Sequence, residues 1–163
     1  MKKYISNIIL IVLLVALDQL IKVLILNSIG TSGESITIIP RVLQLTYVEN
    51  TGGAWGIFSE RIYLIGIDIM IIVAILRLLL SKNYELNKKT ILAMTLILSG
   101  GIGNLIDRII RGFVIDYFDI TPILNYPIFN FADICIVVGV ILLFIIIIVN
   151  TVKSQEKSID EKV

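Results

Sequence analysis

Gly112-Phe-Val-Ile-Asp116-Tyr-Phe-Asp119-Ile-Thr-Pro-Ile-Leu-Asn-Tyr-Pro127-Ile-Phe-Asn130-Phe-Ala-Asp133 is a short polar bridge, and Ile134 to Val149 behind it is an unbroken run of apolar and glycine residues. With the residues just before it, this run reads as a membrane-spanning helix over about 131–149. Asp133 stands at its mouth, where a carboxylate is costly unless it is paired, hydrated or used. Working outward, a second apolar segment precedes the bridge at about residues 90–110, and two more lie upstream at about 5–26 and 63–80. Each is near the ~20 residues that cross a bilayer core. The fold class is therefore an all-α membrane protein with four transmembrane helices, in one domain spanning 1–163.

Composition agrees. The chain is 57% hydrophobic and has a mean hydropathy of +0.97, values of a membrane protein. A net charge of +1 gives no case for nucleic acid as a partner. The lone cysteine, Cys135, makes no intramolecular disulfide and has no companions for a zinc site. Histidine is absent, which removes Ser-His and Cys-His catalysis and His-based metal sites. Acid–base chemistry near neutral pH is left to carboxylates, lysine, tyrosine or the N-terminus, and neither cofactor nor metal is expected.

The segment 27–61 is the longest portion that does not span. Gly30, Gly33 and Pro40 punctuate it, and Ser35-Ile-Thr-Ile-Ile and Val42-Leu-Gln-Leu-Thr-Tyr-Val alternate as short strands do. The spacing predicts a small sheet-like layer on the membrane surface between helices 1 and 2, followed by a tight loop, Asn50-Thr-Gly52-Gly53-Ala54-Trp55-Gly56, with an interfacial aromatic. Lys2 and Lys3, Lys82, Lys88 and Lys89 of the 81–89 loop, and Lys153, Lys157 and Lys162 of the 150–163 tail fall on one side of a four-span arrangement. Both termini are then expected in the cytoplasm and the 111–130 bridge outside, with a frayed polar tail.

The residues able to carry chemistry each have a structural reading beside the functional one. Asp18 and Lys22 lie four apart on one face of the first helix and can pair. The glycines of Ser99-Gly100-Gly101-Ile-Gly103-Asn104-Leu-Ile-Asp107-Arg108 follow an apolar helix, not a strand, so they read as helix packing and not as a nucleotide loop. Asn104 and Arg108 share a face. Asn130 suits an N-cap with Asp133 reaching back to it. Asp68 has no evident partner within its span, and Asp119 reads as a loop acid. Asp116 and Asp133 lie on opposite arms of a short connection. Two carboxylates in a poorly hydrated site do not easily both ionise, so one can act as base and the other as acid, the logic of aspartic proteases. A four-span transporter with Asp18, Lys22 and Asp133 as a proton or ion relay is the alternative from another class; a non-catalytic scaffold is a third.

Taken together, Asp18-Gln19-x-x-Lys22, Asn50-Thr-Gly52-Gly-Ala54-Trp55, Gly100-Gly-x-Gly103-Asn104-x-x-Asp107-Arg108, Val114-Ile-Asp116-Tyr-Phe and Phe129-Asn130-x-Ala132-Asp133 resemble the lipoprotein signal peptidases (signal peptidase II), in the order that family has them. The resemblance implies an extracytoplasmic β-cradle and a short surface helix between the first two spans. It implies an aspartic endopeptidase of the bacterial cell membrane, with its active site at the outer face. Such an enzyme removes the signal peptide from diacylglyceryl-modified prolipoproteins by cutting just before the lipidated lipobox cysteine. By the same resemblance Asp116 and Asp133 are the catalytic residues, with Asp18, Lys22, Asn50, Gly52, Asn104, Asp107, Arg108, Asn130 and Ala132 in support. Prolipoprotein substrates, membrane lipids and inhibitors of the globomycin class are the implied partners. Nothing in the sequence requires more than a monomer. The loop departs from the family pattern at Gly53, where Ala is common, and has Trp55 where Phe is also common.

Overall fold

The computed structural model describes residues 5–30, 32–52, 61–81 and 86–160. Four helices organise it: α1 (Ile5–Ile25, continued by a wider π turn over Leu26–Gly30), α2 (Arg61–Leu80), α3 (Lys88–Ile110) and α4 (Phe131–Asp160). All four are long and apolar enough to cross a membrane. Between them lie three short strands, β1 (Ile36–Ile39), β2 (Leu43–Asn50) and β3 (Val114–Asp119), in one antiparallel sheet ordered β1-β2-β3.

The least apolar helix is the most buried. In α3, 61% of the apolar window is buried, against 17%, 11% and 17% in α1, α2 and α4. That inverts the rule for soluble proteins, because lipid solvates Leu and Ile as well as a protein core does, whereas polar groups must find partners inside. The outer helices pack chiefly on α3 and turn Ile9, Val12, Leu13, Met70, Val140 and Phe144 outward. Facing them, α3 presents small and polar residues. Thr95 Oγ1 and Ser99 Oγ each donate to the carbonyl four residues back, at 2.8 Å, and Asn7 on α1 donates to Thr95 at 3.2 Å.

Two glycines set how closely the helices approach. A Cβ on Gly100 would overlap the Ala132 carbonyl of α4, and one on Gly103 would lie 2.6 Å from Asp18 Oδ2 of α1. The helix-packing reading of this glycine run is the physical one.

At its start α3 is capped by Asn87, whose side chain accepts from the Thr90 amide at 2.8 Å. At its end the Arg111 and Gly112 amides both donate to the Asp107 carbonyl, at 2.8 and 3.2 Å. Gly112, at φ 91°, then turns the chain directly into β3.

β3 was not anticipated: the sequence reads as a bridge there, and the sheet was expected wholly between α1 and α2. In the fold β3 is an edge strand of the sheet but its most buried one, antiparallel to β2 with Val48 opposite Asp116 and Asn50 opposite Val114. Ile115 and Tyr117 point to one face, into an apolar cluster with Ile25 and Ile29 at the end of α1; by strand alternation Asp116 takes the other face. Phe129 clamps the following segment onto β3: its carbonyl accepts from the Tyr117 and Phe118 amides at 3.0 and 2.7 Å, and its amide donates to Phe118 at 3.1 Å. The polar tail differs too, since α4 stays helical to Asp160 where fraying was expected. The 53–56 part of the glycine-rich loop, with Trp55, lies outside the described residues; the implied surface helix is absent from those of 27–61 that are described.

If close approach at Gly100 holds α3 against α4, Gly100→Ala costs about 1–3 kcal/mol by overpacking, read as a lower melting temperature in detergent. Gly66→Ala, whose added Cβ meets nothing within 4 Å, leaves stability unchanged or raises it through helix propensity. Equal shifts in the two variants would remove the packing role.

Candidate active site

The site is assembled where the ends of α1 and α3, the start of α4, and β2 and β3 converge. Asn130 organises it. Its side-chain oxygen accepts from the Asp133 amide at 2.9 Å, while the Asp133 carboxylate accepts from the Asn130 amide at 3.1 Å, the reciprocal cap expected from the sequence. The side-chain nitrogen then has two hydrogens free and spends both, on Asp116 Oδ1 at 2.6 Å and on Asn104 Oδ1 at 3.1 Å. One amide thus ties the start of α4 to β3 and α3.

Each carboxylate has a second amide donor. Asn50 Nδ2 reaches Asp116 Oδ2 at 2.8 Å, and the Gly52 amide, donating to Asn50 Oδ1 at 3.0 Å, keeps that side chain from turning over. Asn104 Nδ2 reaches Asp133 Oδ1 at 2.8 Å. Among the described residues no cation lies within ion-pair distance of Asp116 or Asp133. Burial raises the Asp116 carboxyl first, and the negative charge of Asp133 raises it further; the bonds from Asn50 and Asn130 and the charge of Lys22 offset only part. The result is a pKa of about 7.

Beneath the pair lies a closed charge cluster. Lys22, fully buried, has three N–H donors and three oxygen partners: Asp18 Oδ2 at 2.9 Å, Asp107 Oδ2 at 2.8 Å and Asn104 Oδ1 at 2.9 Å. Asp18 also accepts from the Ala132 amide at 3.1 Å, in the first turn of α4, where an anion suits the helix dipole. Asp107 accepts from the Ile115 amide at 3.2 Å and pairs with Arg111. Gln19 stitches the rim, donating to Asp18, Asp107 and the Gly103 carbonyl and accepting from Arg111 at 2.9 Å. Two carboxylates and two cations cancel.

Every supporting residue named from the sequence is brought into this assembly except Arg108, which turns aside. It pairs with Asp68 of α2 at 2.8 Å, so Asp68, for which the sequence offers no obvious partner, has one. The Arg108 Nε is buried with no acceptor. Asp119 also departs from expectation, being buried, not a loop acid. Burial would raise its carboxyl, but bonds from Thr121, Gln44 and Thr46 outweigh that and hold it at about 2. Gln19, Arg111 and Tyr117 were missed. Gln19 sits inside a quoted motif and could have been found. Tyr117, whose hydroxyl accepts from the Phe131 amide at 3.1 Å, needed the strand. Among the described residues no group of His, Cys, Asp and Glu is arranged to hold a metal ion.

The sequence profile of the family described as Signal peptidase (SPase) II matches residues 10–149 of the chain. The chain is 42% identical over 154 residues to a protein named lipoprotein signal peptidase in Lactococcus lactis subsp. lactis (strain IL1403), covering 92% of this chain and 97% of that one. It is also 42% identical over 153 residues to one of the same name in Clostridioides difficile (strain 630), covering 91% and 98%. A solved structure described as a bacterial membrane enzyme superposes with a TM-score of 0.80 at 34% identity, over 90% of this chain and 89% of that one.

The raised Asp116 carboxyl fixes a sign. The folded protein keeps a proton there that the unfolded chain, at its ordinary 3.8, releases. This contribution to stability is complete below about pH 4 and is lost as pH rises to about 7, at up to about 1.4 kcal/mol per pH unit. Melting curves of Asp116→Asn in detergent should lose that part of the slope between pH 4 and 7, whatever the substitution does to stability overall. An unchanged slope places the proton elsewhere.

Proposed function

The chain belongs to the signal peptidase II family, and on that premise we propose that Asp116 and Asp133 are its catalytic pair. The protein is a peptidase of the bacterial membrane, crossing it more than once, and it removes signal peptides from prolipoproteins. The observation that carries the assignment is that Asn130 donates to both carboxylates, through its side-chain amide to Asp116 and its backbone amide to Asp133, in a network that, among the described residues, gives neither a cation.

In the proposed reaction Asp116, protonated near neutral pH, donates to the scissile carbonyl oxygen while Asp133 takes a proton from water. The water oxygen adds to the carbonyl carbon and leaves a neutral gem-diol. Asp133 then delivers its proton to the departing amide nitrogen, the C–N bond breaks, and Asp116 recovers its proton from a diol hydroxyl. The pair returns to its starting charge. Asn130, Asn50 and Asn104 hold the two carboxyls, and Lys22 holds Asn104. Arg108, one helical turn beyond Asn104 and with its side chain still 12% exposed while Asp68 holds it, offers the accessible part of its guanidinium to a carbonyl of the substrate backbone.

The cut falls immediately before a lipobox cysteine carrying diacylglycerol, whose acyl chains lie in bilayer beside the helices while the peptide bond sits at the membrane surface. Lysine placement supports cytoplasmic termini and a pair at the outer face. Inhibitors of the globomycin class would compete for this site. One chain supplies every residue of it, so a monomer suffices. The relay alternative is disfavoured by Lys22, whose three donors are all engaged in a fully buried cage.

The test uses purified protein in detergent with a diacylglyceryl-modified prolipoprotein and its unmodified form. Asp116→Asn and Asp133→Asn should each lower kcat by about 10²–10⁴, and the unmodified substrate should be cut poorly. The wild-type rate should fall as pH rises through about 7, where Asp116 gives up its proton. Full activity in either variant would sink the dyad. Arg108→Ala should raise KM by about tenfold or more, the loss of one charge-assisted hydrogen bond, and an unchanged KM would end that role.

A further inference from the structure

At the end of the bundle remote from Asp116 and Asp133, a groove of about 440 Å³ opens between the start of α3 and the C-terminal half of α4, a volume within the usual range for small-ligand clefts, about 300–1,000 Å³. Its lining is aliphatic at Leu142, Ile146 and Val149 and basic at Lys88, Lys89 and Lys153. Among the described residues no carboxylate lines it and none of the three lysines has an ion-pair partner. Lys88 and Lys89 also occupy the first turn of α3, which has no acidic residue. Positive charge is unfavourable there, because the helix dipole already places its positive end at that point. The arrangement stacks like charge on like charge over an apolar cleft, at the level where a spanning helix meets the headgroups.

We propose that this groove binds one anionic phospholipid, its phosphodiester against the lysines and part of an acyl chain along Leu142, Ile146 and Val149. The anion relieves the repulsion among the lysines and the α3 terminus, and the aliphatic wall covers chain that a free phosphate does not have. A basic recess between helices near a membrane surface is a recurrent geometry for anionic headgroups.

Native mass spectrometry of the full chain in detergent tests this with phosphatidylglycerol, phosphatidylcholine and inorganic phosphate as probes. Phosphatidylglycerol should be retained at least tenfold more than phosphatidylcholine, and excess phosphate should not displace it. Combining Lys88→Gln, Lys89→Gln and Lys153→Gln should lower retention tenfold or more, about fivefold being expected for each lysine near a headgroup. Val149→Trp, which fills the cleft and keeps the charge, should lower it as well. Cleavage of substrate in detergent should be unchanged in all of these, which shows that they fold. Equal retention of the two lipids, displacement by phosphate, or undiminished retention in the lysine variant would overturn the proposal.

Discussion

The ammonium group of Lys22 and its three oxygens are the constraint from which the rest of this structure follows. An unpaired charge at that depth is costly, and breaking such a pair from one side typically costs about 3–5 kcal/mol. The oxygens come from α1 and α3, so the cage fixes how those helices sit against each other. Its acids reach further: Asp18 takes the Ala132 amide of α4 and Asp107 takes the Ile115 amide of β3. The two elements that carry Asp133 and Asp116 are therefore anchored to the same ammonium. Well-packed hydrophobic replacements of buried ion pairs are often as stable or more so. Here they would give no hydrogen bonds with which to orient Asn104.

That cage accounts for the character of α3. A helix that carries Asn104, Asp107 and Arg108 must bury them, and burial in a four-helix assembly requires neighbours on most sides. Neighbours come close only where side chains are small, hence Gly100 against the Ala132 carbonyl and Gly103 against Asp18. Ala132 belongs to the same constraint. It is buried, and its carbonyl and amide serve as contacts for α3 and α1 respectively. The polar site and the packing motif are one solution to one problem, which is how to put charge inside a membrane protein without leaving any of it unpartnered.

The sequence disclosed whatever had a local signature. Four apolar runs gave the helices, an i,i+4 spacing gave Asp18 with Lys22, and Asn130 with Asp133 at three residues gave the cap. What it concealed was long-range. β3 is buried on both faces, so it lacks the alternation that marks a half-exposed strand, and its two acids made it look like a loop. Asp119 was misjudged for the same reason, since its partners Gln44 and Thr46 lie across a sheet that could not be seen. Asp68 and Arg108 are 40 residues apart, and nothing in either neighbourhood announces the other. The helical continuation of α4 into the polar tail also had no apolar period to betray it.

The choice of donors around Asp116 and Asp133 is itself informative. A lysine or arginine against either carboxylate would hold it more firmly than an amide does, but it would also hold it ionised. Asparagine positions a carboxylate through a neutral dipole and lowers its proton affinity less. Lys22 is close enough to be felt at Asp116, yet it is separated from the pair by Asn104, and its own charge is already met by Asp18 and Asp107. Burial and the neighbouring Asp133 therefore prevail, and Asp116 keeps its proton to about pH 7. A reaction that needs one carboxyl protonated and one ionised requires this separation of positioning from charge compensation. The cluster beneath supplies the rigidity of an ion-pair network, and the asparagines pass on the geometry without the charge.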